Sequence, residues 1–121
     1  MTLSKPVELR LPVPPSVNRY WRSGTRNGVP HVYLSDEARN YKHTVHLLTR
    51  HVEPFAGAVV LQIIVFREYN RGDIDNYLKG LLDSLQGNVY ANDNQIIEIH
   101  LYKRLDRNDP RVELTAWEET K

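Results

Sequence analysis

No cysteine occurs among the 121 residues, which rules out disulfides, thiolate zinc centres and cysteine nucleophiles. That absence fits a cytoplasmic protein. No apolar run approaches the roughly 18 residues a membrane span requires. The N-terminal stretch MTLSKPVELRLPVPP has no apolar core of signal-peptide length, so the sequence reads as soluble, unexported and without a membrane partner. Charge of one sign is lacking too: 16 Lys and Arg nearly cancel 15 Asp and Glu, leaving a formal +1. Net charge therefore selects no partner, and only its local distribution can. No Gly-rich phosphate loop follows a strand pattern and no serine sits in a nucleophile-elbow pattern, which excludes P-loop nucleotide hydrolysis and elbow-type serine hydrolysis.

What is present has the size of one domain, residues 1–121, globular at 40% hydrophobic and 26% charged. A chain this small leaves much surface open and often gains by oligomerising, so its size is compatible with a dimer. Val7, Leu9, Leu11 and Val13 alternate along residues 6–13 as a half-buried strand, with Pro12 placing it at an edge. PPSVNRYWRSGTRNGVP then reads as a long, functional and mobile connection, with HVYL at most a short strand. Ser35 followed by Asp36 and Glu37 starts a helix over about 36–51, with Ala38, Tyr41, Val45, Leu48 and Val52 on its apolar face. The β-branched run at 58–66 predicts a strand buried on both faces. A second helix over about 74–86 carries Ile74, Tyr77, Leu78, Leu81, Leu82 and Leu85 on one stripe. Two strands follow, 96–104 with Ile97, Ile99 and Leu101 on one face, and 111–117. The order β-α-β-α-β-β predicts an α+β fold with a small mixed β-sheet and two helices.

The second helix carries the chemistry. Asp73 stands at its N-cap, Asp75 in its first turn, and Asp93 in the turn before the next strand. Three carboxylates from two segments make a hard oxygen donor set, suited to Mg²⁺ or Mn²⁺ rather than zinc, provided the fold brings Asp93 back to the other two. Lys79, one turn after Asp75, is placed to reach a scissile phosphate or an attacking water. The same residues also satisfy a plainer reading: Asp73 as a cap, Asp75 and Lys79 as a surface pair, Asp83 as solvated face, and Asp93 as turn chemistry. Spacing alone leaves both open. Arg19, Arg22 and Arg26, interleaved with Tyr20 and Trp21, suit phosphates and stacked bases. His43, His46 and His51 have no further soft ligands nearby in sequence and read as surface histidines.

RGDIDNYLKGLLDSL followed by ANDNQI, with PPSVNRYWR and VYLSDEARNYK before them, resembles the RusA family of Holliday junction resolvases, in order and over most of the chain. The resemblance implies a RusA-like domain acting as a homodimeric, Mg²⁺-dependent endonuclease. Such an enzyme makes paired symmetric nicks in four-way junction DNA during recombination and repair. It further implies Asp73, Asp75 and Asp93 as metal ligands and Lys79 as the catalytic or phosphate-contacting cation. Members prefer particular dinucleotides at the cut, and many are encoded by prophages. The position before the third aspartate is often acidic in the family but is Asn92 here. Arg19, Arg22, Arg26, Arg67, Arg71, Asn76 and Lys103 are the candidate DNA contacts. A noncatalytic, dimeric junction-binding protein and a nuclease acting on other branched DNA are the alternatives.

Overall fold

The computed structural model describes residues 5–70 and 72–119. Among these residues six strands and three helices follow one another, with β1 at Val7–Leu11, α1 at Val17–Tyr20, β2 at Trp21–Arg26, β3 at Val29–Leu34 and α2 at Asp36–Thr49. Then come β4 at Val59–Arg67, a 3-10 turn at Ile74–Tyr77 running into α3 at Leu78–Leu85, a second 3-10 turn at Asp93–Gln95, β5 at Ile96–Leu105 and β6 at Arg111–Glu118. Four strands form a mixed sheet in the order β1-β6-β4-β5, so the expected α+β architecture is found. β4 is antiparallel to β6 and parallel to β5, from Val59 beside Ile96 to Arg67 beside Leu105.

Leu9, Leu11, Val59, Leu61, Ile63, Val65, Val112 and Leu114 meet Tyr41 and Val45 of α2, and Leu81 and Leu85 of α3, in one apolar core. Alternation along each strand sends only one side chain in two toward this layer. On the other face of β4, Gln62 is exposed and Ile64 and Phe66 are half-buried, so burial on both faces, as the β-branched run predicted, is incomplete. The helices cover one face of the sheet and β-branching alone does not report which.

Three apolar positions depart from expectation. On α2 the buried track is Ala38, Tyr41, Val45 and Thr49, while Leu48 is exposed. Thr49 fits there because its hydroxyl donates to the Val45 carbonyl at 2.7 Å. Ile74 is exposed, since residues 74–77 form a 3-10 turn and leave the α-helical phase of the stripe. Ile97 is exposed because the β4–β5 register slips there, Val59 facing Ile96 and Val60 facing Glu98. Beyond this bulge, Ile99 and Leu101 pack on the core with Ile96 in place of Ile97.

Residues 21–34, expected as an irregular connection with a short strand at its end, form a complete hairpin. Asn27 and Gly28 have φ of 53° and 78°, the two-residue turn whose twist matches paired strands. The base of the hairpin is tied by Ser35. Its N–H donates to the Tyr20 carbonyl at 3.0 Å. Its hydroxyl donates to the Arg19 carbonyl at 2.6 Å and accepts from the Ala38 N–H at 3.1 Å, capping α2. Arg111 organises the β5–β6 turn, donating to the Asp106 carboxylate and the Asp109 carbonyl, each at 2.8 Å. That bond holds the Asp106 carboxyl below the usual carboxylate range.

Candidate active site

The chain leaves β4, turns, and delivers Asp73 to the start of the 3-10 turn and α3. Gly72 makes the turn with φ of 77°, a conformation that side chains resist. Its carbonyl accepts from Lys103 Nζ on β5 at 2.8 Å. Lys103, expected to contact DNA, thus anchors the loop that carries the first aspartate. Asp73 occupies the N-cap with extended backbone (φ −79°, ψ 151°), and its carboxylate makes no capping bond. Asp75 is exposed two residues on. Among the described residues neither carboxylate is held by an ion pair or a side-chain hydrogen bond, so the plainer reading of Asp73 as an ordinary cap does not describe this geometry.

Lys79 pairs with Asp83, at 3.2 Å, and not with Asp75. Both acids stand four residues from the lysine, but Asp75 lies in the 3-10 turn, where side chains repeat every three residues and the α-helical alignment is lost. Asp83 also accepts from the Tyr20 hydroxyl at 2.6 Å. Burial, then this bond to an anionic oxygen, pushes the Tyr20 hydroxyl far up from its ordinary pKa. It stays a donor throughout the physiological range, and the carboxylate it holds fixes Lys79. Asp83, which the sequence reading left on the solvated face, thus pairs with Lys79 and is itself held by Tyr20. The (i, i+4) spacing to Lys79 was the available signal, whereas its tie to Tyr20 spans 63 positions.

Asp93 begins the second 3-10 turn, which Gln95 clamps. The Gln95 carboxamide oxygen accepts from the N–H groups of Ala91 and Asn92 at 2.9 and 3.0 Å, and its nitrogen donates to the carbonyls of Phe55 and Gly57 at 2.8 and 2.9 Å. The Asn92 side chain accepts from the Gln95 backbone N–H to complete the capping box, and from the Asn94 N–H at 3.0 Å. Asn92, at a position where the resemblance leads one to expect an acid, therefore has a structural task.

The two acidic segments lie at opposite ends of the β4–β5 crossover. Gly72 is bound to Lys103 near the end of β5, while Asp93 stands just before its first residue, Ile96. The seven residue steps from Ile96 to Lys103 span about 23 Å at strand rise. Accordingly, among the described residues no three His, Asp or Glu side chains come together as a metal site. The expected return of Asp93 to Asp73 and Asp75 does not occur within one chain, because a crossover between parallel strands puts the two loops at opposite ends of the sheet. The donor chemistry of Asp73 and Asp75 still fits a hard divalent cation: two exposed, uncommitted carboxylates, two residues apart, where the backbone is still turning into a helix.

Beside this pair opens a cavity of about 540 Å³, walled by the Pro14–Pro15 segment, α2 and the loop of Gly72, Asn76 and Tyr77. Arg19 and Arg67 line it. Arg67 lies over the Tyr77 ring at 5.1 Å, and Arg19 stands 3.8 Å from Glu37. Of the candidate DNA contacts, Arg19, Arg67 and Asn76 thus share one groove, while Arg22 and Arg26 project on the hairpin. Arg71 lies outside the described residues.

A mixed sheet with a helical layer on one face, two aspartates at the start of α3 that are uncommitted among the described residues, and beside them a groove lined by Arg19, Arg67 and Glu37 define a small α+β protein with hard oxygen donors and guanidinium groups at one end of its sheet. The sequence profile of the family described as endodeoxyribonuclease RusA matches residues 12–116. The chain is 38% identical over 89 residues to the crossover junction endodeoxyribonuclease rusA of Enterobacteria phage HK97, a match covering 70% of this chain and 71% of that protein. It is also 25% identical over 118 residues to the uncharacterized protein YqaN of Bacillus subtilis (strain 168), covering 77% and 82% of the two chains. The chain belongs to the RusA family of endodeoxyribonucleases.

Proposed function

We propose that this chain cuts four-way junction DNA by paired, symmetric nicks in a reaction dependent on Mg²⁺, with Mn²⁺ able to substitute, and that it serves recombination and repair in the cytoplasm. The observation that carries the reading is the pair of uncommitted carboxylates, Asp73 and Asp75, beside a groove lined by Arg19 and Arg67. These two aspartates would hold the ion. When bound, the ion activates water and offsets charge on the phosphate. Lys79, held through Asp83 by Tyr20, supplies a fixed cation for the charge that develops on the leaving oxygen. Arg19, Arg67 and Asn76 hold the strand in the groove.

The third carboxylate is assigned to a second copy. Asp93 lies far from Asp73 and Asp75 in its own chain, so a two-fold dimer that sets Asp93 of the partner subunit beside them completes the donor set twice, once per strand to be cut. Such a pairing matches the near two-fold symmetry of a four-way junction. The family membership and the relative in phage HK97, whose name is that of a crossover junction endodeoxyribonuclease, support this reading over cutting of other branched DNA.

The test is strand cleavage of a labelled mobile four-way junction in Mg²⁺ by the wild type and by Asp73→Asn, with a linear duplex as control. Paired nicks confined to the junction, reduced by roughly 10³-fold in the variant, are expected. Tight junction binding with no cutting in Mg²⁺ or Mn²⁺ would make the chain a noncatalytic junction-binding protein. Cutting of flaps in preference to junctions would move it to other branched substrates.

A further inference from the structure

Among the described residues the hairpin of β2 and β3 stands apart from the four-stranded sheet and pairs only with itself. From Arg19 to Leu34 the sequence holds three arginines and a histidine and no acid. Cross-strand pairing sorts these residues by face. Arg22 pairs with Tyr33, Gly24 with His31 and Arg26 with Val29, and directly paired residues share a face. Trp21, Ser23 and Thr25, with their partners Leu34, Val32 and Pro30, occupy the other face, which carries no charge. Both arginines of the strand pair therefore point the same way. Between them the rings of His31 and Tyr33 lie side by side, with centroids 5.2 Å apart at 32°. Gly24 makes room for them: a side chain there would meet the Tyr33 ring at 3.3 Å.

Such a ribbon is about 20 Å long at strand rise and has the width that the major groove of DNA admits. An isolated two-stranded hairpin has little stability of its own, so a surface that binds this face also stabilises it. We infer that the hairpin is a DNA-engaging arm in which Arg22 and Arg26 contact phosphates and the Tyr33–His31 ring pair stacks on a base exposed at the branch point. This rests on the junction reading above and adds to it the element that recognises the branch. The chemistry on the face favours nucleic acid over protein, because it joins two guanidinium groups, without an ion-pair partner among the described residues, to aromatic rings with no acid among them.

The test uses the full chain in EDTA, where binding proceeds without cutting, on a four-way junction carrying 2-aminopurine at the branch point. Wild type is compared with a shortened arm, Arg22–Tyr33 replaced by Asn-Gly so that Trp21 and Leu34 still pair, and with the single change Tyr33→Ala. The shortened protein should bind the junction at least 10-fold more weakly, its salt dependence reduced by about two phosphate contacts. Tyr33→Ala should keep the salt dependence while losing the 2-aminopurine signal. Where the shortened chain does not fold, the double change Arg22→Gln, Arg26→Gln takes its place, with the same expected loss of salt dependence. Junction binding and fluorescence equal to wild type in the arm variants would overturn the inference and leave the junction reading standing. A wild type that binds the junction no more tightly than a linear duplex would also overturn the inference, whereas failure of the junction reading shows separately as a lack of junction cutting in Mg²⁺.

Discussion

Gly72 and Gln95 decide where the proposed ligands stand, though neither bears a charge. Gly72 takes a positive φ immediately before Asp73, and a Cβ there would also meet Asn76 Nδ2 at 3.0 Å. Gly72→Ala should therefore cost about 1–2 kcal/mol of stability and a larger share of activity. As the loop relaxes the carboxylate moves, and a displacement near 1 Å lowers the rate by about 10²-fold. Urea unfolding and junction cleavage measured on the same preparation check this, with unchanged cleavage counting against it. At this scale the sequence revealed the chemistry but not its partners. Asp73 and Asp75 were visible from spacing, yet whether Lys79 binds Asp75 or Asp83 depends on four residues adopting 3-10 rather than α-helical geometry. The bond from Tyr20 to Asp83 joins segments that no local pattern connects.

At the scale of elements, α3 packs closely on the Pro14–Pro15 segment at Gly80, where even a methyl group would be tight. A Cβ on Gly80 would lie 3.3 Å from Pro14 Cβ and 3.4 Å from the Pro15 carbonyl oxygen. Gly80→Val puts two further carbons into that contact and should destabilise the fold by about 1–3 kcal/mol. It would also shift the wall of the groove, so junction affinity should fall with stability, measured by urea unfolding and mobility shift. A variant as stable and as tight-binding as wild type would show that the segment moves freely. The six main elements were legible because their apolar periods are long and their caps clear, as with Ser35 at the start of α2. The hairpin was legible too, in Asn27-Gly28, but the surrounding Pro, Gly and Ser residues read as a loop. The bulge that turns out Ile97 had no sequence signal, since it is set by register against β4.

The whole molecule brings Asp73 and Asp75 to one end of the sheet and Asp93 to the other, a consequence of connecting parallel strands β4 and β5 through α3. Sequence order places these residues within 21 positions and invites a single cluster; topology separates them. In the proposed dimer a working site takes Asp73 and Asp75 from one chain and Asp93 from its partner. This arrangement is tested most directly by co-expressing two inactive chains, one with Asp73→Asn and Asp75→Asn, the other with Asp93→Asn, and assaying the purified heterodimer on a four-way junction. Each mixed dimer then holds one complete site and one empty of ligands, so single-strand nicking should return although both parent homodimers are inert. A heterodimer that binds the junction and cuts nothing, beside a wild type that cuts it, would show that each site lies within one chain and contradict the account.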